Sequence, residues 1–258
     1  MSETTHNTTI LDQFTRQAVA FNAAGTITNE QALKMIVEAG QGGPDDTVLD
    51  VACGGGIIVC AFAPHVRHAT GIDMTPAMLD QSRKLAAQKG LANTTWQQGD
   101  VATLPFADAS FSIVVTRFSF HHFLEPLEVF KEMLRVCKPN GRIVIVDMYA
   151  SEDPTKAAEW NKLEKLRDPS HVRCLTLTEL EALFGKVGLP APRVAFYDIR
   201  DSVKALLSRS FPNPGDDVKV VEMFTASAAD GRLGVGSHFE DGELRFAYPV
   251  AILSVERP

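Results

Sequence analysis

The sequence predicts an α/β fold, a parallel sheet doubly wound by helices on both of its faces. Three observations carry that expectation. From Val48 onward, short apolar runs alternate with stretches of helical period; the first run, Val48-Leu49-Asp50-Val51, leads into Ala52-Cys53-Gly54-Gly55-Gly56; and the second ends on an acidic residue, Gly71-Ile72-Asp73. Parallel neighbours need crossover connections, and right-handed crossovers must pass over the sheet. At 258 residues and 45% hydrophobic content, the chain can bury one large core, or a core with a small appendage.

Each element follows from its local pattern. Leu11 to Ala23 and Asn29 to Ala39 carry apolar positions at helical spacing, the second opened by Thr28 or Asn29 and closed by Gly40. The alternation then runs strand Val48 to Val51, helix Gly56 to Phe62, strand Ala69 to Ile72, helix Pro76 to Gln88 and strand Thr94 to Gln97. It continues with strand Phe111 to Val115, helix Pro126 to Cys137 and strand Arg142 to Asp147. Beyond Asp147 the pattern becomes two helices, Thr155 to Lys165 and Thr178 to Val187, and a sixth strand near Val194 to Ile199. Ser202 to Asp230 reads as two helices broken by Pro212-Asn213-Pro214-Gly215, and a last apolar run, Phe246 to Val255, follows a turn at Asp241-Gly242.

A strand that runs into glycines leaves bare backbone for a ligand to approach, and the helix starting there offers unpaired NH groups. A carboxylate ending the next strand can accept bonds from both hydroxyls of a ribose. The nicotinamide fingerprint asks for a third glycine where this chain has Val59 after Gly54 and Gly56. A phosphate loop would end in Gly-Lys-Ser or Gly-Lys-Thr, and Gly55-Gly56-Ile57-Ile58 has neither the lysine nor the hydroxyl.

Asp50 to Gly56 resembles the first motif of the class I S-adenosylmethionine-dependent methyltransferases, with Ala52 where many members have glycine. Gly99-Asp100-Val101 resembles that family's adenine-binding turn. Arg117-Phe118-Ser119-Phe120-His121-His122 resembles the segment after its fourth strand, and Leu134 to Gly141 the turn before its fifth. The likeness runs from about Leu11 to Pro190 and is to the small-molecule branch, similar to the ubiquinone and menaquinone C-methyltransferases (methyltransferase type 11).

The resemblance implies a Rossmann-like, seven-stranded doubly wound sheet whose last strand is antiparallel and inserted between its neighbours, with an N-terminal helical lid and a C-terminal helical insertion. It divides one compact unit into a lid over residues 1–43, a cofactor-binding core over 44–150 and an acceptor-binding remainder over 151–258. It also implies S-adenosyl-L-methionine as cofactor, with S-adenosyl-L-homocysteine as product. The implied contacts are Asp50, Ala52, Cys53, Gly54, Gly56, Asp73, Met74, Asp100, Val101 and Arg117.

Each assignment has a plainer alternative. Asp50 and Asp73 could simply cap or turn the chain, Asp100 could be an ordinary turn residue, and Met74 could be core. Cys53 reads as a small apolar spacer, with no neighbouring base to make it a nucleophile. His121, His122 and His171 are the candidate bases, because histidine is the side chain poised to take a proton near neutral pH. His121 and His122 would sit at the carboxyl edge of the sheet, where ligands bind in such folds; the alternative is packing or capping. His171 would lie in a loop over the acceptor or in a solvent turn. Phe14, Arg16 and Phe21 on the first helix would form the lid, with Arg16 free to pair with the cofactor carboxylate; a phenylalanine stripe at that spacing is also what a core helix shows. Phe118, Phe120 and Trp160, with the apolar insertion helices, would line an aromatic acceptor room.

Composition narrows the partners. A formal net charge of −7 disfavours nucleic acid. The four cysteines show neither a CxxC pair nor a regular spacing, so no disulfide framework, zinc site or other metal centre is expected. No run approaches the ~20 apolar residues of a membrane span, and Met1 to Thr9 has no apolar stretch for a signal peptide. The expectation is a cytoplasmic enzyme, its oligomeric state left open with a homodimer as one option, that moves a methyl group to oxygen, nitrogen or activated carbon of a small aromatic or polyketide-like acceptor. Three rivals stand beside it: a cofactor-assisted cyclase or pericyclase, an inactive cofactor-binding regulatory module, and a nicotinamide oxidoreductase.

Overall fold

In the computed structural model, which describes residues 3–258, eight strands form one sheet. They are β1 (Thr47–Val51), β2 (His68–Asp73), β3 (Thr94–Gln98), β4 (Phe111–Arg117), β5 (Cys137–Met148), β6 (Arg193–Ser202), β7 (His238–Glu240) and β8 (Glu243–Glu256). Their order is β3-β2-β1-β4-β5-β8-β6, with the three-residue β7 paired to β8 off this path. β1 to β5 pair in parallel, while β8 runs antiparallel between β5 and β6. The seven-stranded plan with an inserted antiparallel last strand is thus present, and the hairpin at Asp241-Gly242 adds the short eighth strand.

The helices are α1 (Glu3–Ala23), α2 (Glu30–Gly40), α3 (Ile57–Phe62), α4 (Pro76–Gln88), α5 (Pro126–Val136), α6 (Pro154–Arg167), α7 (Leu177–Lys186), α8 (Val203–Ser208) and α9 (Asp216–Asp230). Their starts are chemically marked. Proline occupies the first turn of α4, α5 and α6, where its missing NH costs nothing. Asp153 caps α6, and Thr176 with Glu179 forms a reciprocal capping box on α7.

A strand buried on both faces must be apolar at consecutive positions, and β5 shows how the two layers divide. Ile143 and Ile145 pack with Phe130, Met133 and Phe184, while Val144 and Val146 pack with Phe62, Trp160 and Phe246. Among the described residues no helix is long and apolar enough to cross a membrane.

Strand order reverses direction at β1, whose neighbours are β2 on one side and β4 on the other. Consecutive crossovers therefore leave the sheet in opposite directions and open a crevice beyond the carboxyl ends of β1 and β4. The loops that border it are Ala52 to Gly56 and the segment from Arg117 to His122. α1 starts at Glu3, eight residues before the expected Leu11, and the added turns reach this crevice.

Candidate functional site

A cavity of about 490 Å³ occupies the crevice, within the range of small-molecule sites. Ala52, Cys53, Gly54, Asp73, Met74, Asp100, Val101, Arg117, Phe118, His122, Phe14 and Phe21 all line it.

The three loop glycines answer three separate demands. Gly54 has φ 50°, a left-handed backbone conformation that favours glycine, and its NH donates to Asp73 Oδ2 at 2.8 Å. Gly56 also has a positive φ, 77°, and a Cβ there would lie 2.6 Å from the Trp96 ring. Gly55 serves the lid: a Cβ on it would sit 1.7 Å from Asn22 Oδ1, and Asn22 Nδ2 donates to the Gly55 carbonyl at 2.9 Å. Cys53 fits its sulfur against the bare Cα of Gly71. Burial pushes its thiol well up, with Asp73 adding to the effect, which suits a spacer and not a nucleophile.

Asp73 uses one oxygen for the Gly54 amide and the other for the Thr75 amide, at 2.8 Å each. A carboxylate has about four acceptor positions, so two remain toward the cavity. Burial raises its carboxyl, partly offset by those two amides. Asp100, on the exposed rim, accepts from Ala102 N at 2.9 Å and from Asn7 Nδ2 of α1 at 3.0 Å.

Asp50 is the anomaly of the site. It is 1% exposed, and neither carboxylate oxygen completes a hydrogen bond among the described residues. Burial pushes its carboxyl well above the usual range and Asp73 adds to this, while Arg117 and the Val59 amide pull the other way. Arg117, also buried, leaves Nε and Nη2 unpartnered, and its guanidinium lies 4.4 Å from the Phe118 ring centroid. Asp50 and Arg117 border the same small recess, under Phe21 and beside the glycine loop. Orphaned buried charges of opposite sign are costly unless a ligand carrying both signs completes them.

The three histidines come together, although 50 residues separate His121 from His171. The ring centroids lie 4.3 Å apart for His121 and His122, 5.6 Å for His121 and His171, and 6.4 Å for His122 and His171. His121 Nδ1 lies 2.7 Å from Asp147 Oδ1, and His122 Nδ1 lies 3.1 Å from the Ser170 carbonyl. Burial, then the neighbouring His121, pushes His122 down to about 3. His171 is wholly buried, so it lies neither in a solvent turn nor on the cavity wall. Its Nε2 meets Asn161 Oδ1 at 2.9 Å, and burial lowers its basicity further than that of His122. Among the described residues no three His, Cys, Asp or Glu side chains are placed to hold a metal ion.

Four expected contacts lie elsewhere. Gly56 lines neither the cavity nor the recess, its bare Cα facing Trp96 and Ser82, and Phe120 is buried in the core against Phe123 and Phe130. Arg16 turns outward, 3.3 Å from Asp12 and stacked 4.6 Å over Phe211, because its helix face is the solvent side of α1. Trp160 is 1% exposed and packs on Tyr248 within the core, with their ring centroids 5.1 Å apart.

Residues of the first turns of α1 were not anticipated as cavity lining: Glu3, His6, Asn7 and Ile10. His6 Nε2 lies 2.7 Å from the His122 carbonyl, and Gln17 Nε2 3.3 Å from Asp168. The inner side of these first turns carries His6 and Asn7 beside Ile10, so no apolar period marks it. Asp147, Asp168 and Ser170 were missed as well, since nothing in a sequence shows that they would meet the histidines.

Comparison with known proteins agrees with this fold. The family model described as "Methyltransferase domain" matches residues 49–145. The Bacillus subtilis (strain 168) protein YcgJ, described as an uncharacterized methyltransferase, is 35% identical over 187 residues, covering 72% of each chain. Its crystal structure superposes with a TM-score of 0.82 at 28% identity, over 89% of this chain and 99% of that one. A ubiquinone/menaquinone biosynthesis C-methyltransferase of Roseobacter denitrificans is 34% identical over 110 residues, 42% of this chain and 44% of that protein. The chain therefore matches less than half the length of that relative.

Proposed function

The chain belongs to the class I, S-adenosylmethionine-dependent methyltransferase family, and on that premise we propose that its large cavity holds S-adenosylmethionine and delivers the methyl group to a small acceptor. One observation carries the reading: the orphaned Asp50 carboxylate and Arg117 guanidinium share a buried recess at one end of the site, matching the ammonium and carboxylate of an amino-acid tail. At the other end, Asp73 keeps two acceptor positions for the sugar hydroxyls. Asp100 and the Val101 backbone meet the adenine edge, with Met74 as an apolar shelf. A nicotinamide has no ammonium to offer Asp50.

The bound sulfonium supplies an electrophilic methyl group. The protein aligns the acceptor with it and keeps water out. Phe14, Phe21 and Phe118 close the space between donor and acceptor, and α1 is latched over it through His6, Asn7, Gln17 and Asn22. The acceptor reading is a small aromatic or polyketide-like molecule methylated on oxygen, nitrogen or activated carbon.

Calorimetry with S-adenosylhomocysteine tests the cofactor reading. Binding by the wild type and a loss of at least tenfold in Asp73→Ala are expected; equal affinities, or no binding by the wild type, refute it. Mass spectrometry of products then separates methyl transfer, which adds one methyl, from cyclisation, which adds none.

A further inference from the structure

A second chamber, of about 90 Å³, adjoins the large cavity, and Phe14, Phe21, Phe118 and His122 line both. Its far side is formed by His121, Met148, Ile199, Phe246 and Tyr248. The hydrogen-bond donors around it are anchored in the protein. Gln17 Nε2 is turned to Asp168, the Tyr248 hydroxyl to Glu164, Arg167 to Glu164 and Arg209 to Asp201.

The histidines are fixed in the opposite sense. The Asp147 carboxylate receives His121 Nδ1, together with the amides of His121 at 3.2 Å and Met148 at 2.7 Å. A carboxylate held this way accepts only, so Nδ1 carries a proton, and in the neutral ring Nε2 presents a bare lone pair. The Ser170 carbonyl fixes His122 in the same tautomer. The chamber thus offers a ligand aromatic walls and imidazole lone pairs, and it suits a molecule that brings its own donor.

Resting on the functional reading above, we infer that the acceptor is a ring hydroxyl, phenolic or enolic, and that the His121–Asp147 dyad is the base that takes its proton. The hydroxyl proton passes to His121 Nε2 while an oxygen lone pair forms the bond to the methyl carbon. The carbon–sulfur bond breaks with its electron pair left on sulfur as a neutral thioether. Asp147 then stabilises the imidazolium and keeps the ring aimed. His122 has a carbonyl partner instead of a carboxylate, and burial keeps it neutral. It positions the hydroxyl. The charged and titratable groups around His121 are Asp147 on β5, His122, Arg167, Asp168 and His171 from α6 and the segment after it, Arg209 after α8, and Tyr248 on β8.

Three readouts on one preparation test this. Nitrogen-15 NMR of the wild type, free and with S-adenosylhomocysteine, should show His121 protonated at Nδ1 and bare at Nε2; the other tautomer overturns the proposal. With 4-nitrophenol as probe, the loaded wild type should raise the phenolate absorbance, and Asp147→Asn should reduce that signal at least tenfold while S-adenosylhomocysteine affinity stays within twofold. On any phenol that is turned over, Asp147→Asn should lower kcat by about 10²–10⁴-fold and remove the acid limb of the pH profile. S-adenosylhomocysteine binding without a phenolate signal, or with an equal signal in Asp147→Asn, overturns the dyad and leaves the cofactor reading standing. Absence of S-adenosylhomocysteine binding overturns both.

Discussion

Replacing His122 by Gln should remove a defined part of the protein's sensitivity to acid. The folded protein holds this ring neutral, its pKa pushed down to about 3 by burial and by His121. The unfolded chain takes up a proton on the same ring below about pH 6.5. The folded state therefore binds fewer protons between these limits, and its stability falls as the pH is lowered through that window. From pH 6.5 to 5 is 1.5 units at ~1.4 kcal/mol each, so acidification from pH 7 to 5 should cost the wild type ~2 kcal/mol through His122. That corresponds to ~4–8 °C in Tm for a chain of this size. His171 contributes with the same sign, whereas Asp50 and Asp73, whose carboxyls are raised, contribute with the opposite sign; all three are present in both proteins. The quantity to read is the difference between wild type and His122→Gln in urea denaturation at pH 7 and pH 5. A glutamine amide can still donate to the Ser170 carbonyl, so the substitution leaves that acceptor a partner. The wild type should lose ~2 kcal/mol more than the variant on acidification. Equal losses would show that His122 takes up its proton normally in the folded protein, and its assignment as a neutral positioning group would fall with that result.

Asp50→Asn should weaken S-adenosylhomocysteine by about 10–150-fold, the worth of one charge-assisted bond, and because burial raises the Asp50 carboxyl, calorimetry in buffers of different ionisation enthalpy should show more proton release on binding by the wild type than by the variant. A Gly55→Ala methyl would meet Asn22 of α1, so its expected signature is faster hydrogen exchange and proteolysis of α1, with the exchange of β1 unchanged. Glu164 is wholly buried against Arg167, at 2.7 Å, and the Tyr248 hydroxyl; Glu164→Ala should cost ~3–5 kcal/mol in denaturant unfolding, and a loss under 1 kcal/mol would show that the network is dispensable.

The sheet was legible because its strands are buried on both faces, so each crossover unit announces itself as an apolar run followed by a helical period. The cofactor end was legible for a related reason: glycines, and an acid at a strand end, are what a close backbone approach requires. The acceptor end was not. Asp147 reads as the ordinary end of a strand, and Ser170 as a turn residue beside His171, yet both set histidine tautomers through contacts 26 and 48 residues away in sequence. His171 looked like a loop residue because Pro169-Ser170 precedes it, but the pair of bonds from Ser170 N and Oγ to Asp168 folds that turn inward. Trp160 and Arg16 were misplaced by the same limit. Helical spacing says which residues share a face, and tertiary packing decides what that face meets. The start of α1 escaped because its inner side carries His6 and Asn7, which break the apolar period.

A crystal structure of the protein with S-adenosylhomocysteine is the most direct test. The expected density places both sugar hydroxyls on Asp73, the ligand ammonium on Asp50, its carboxylate on Arg117 and its sulfur facing the wall shared with the histidine chamber. A ligand bound elsewhere, or an amino-acid tail that leaves Asp50 and Arg117 without partners, would contradict the assignment of this cavity.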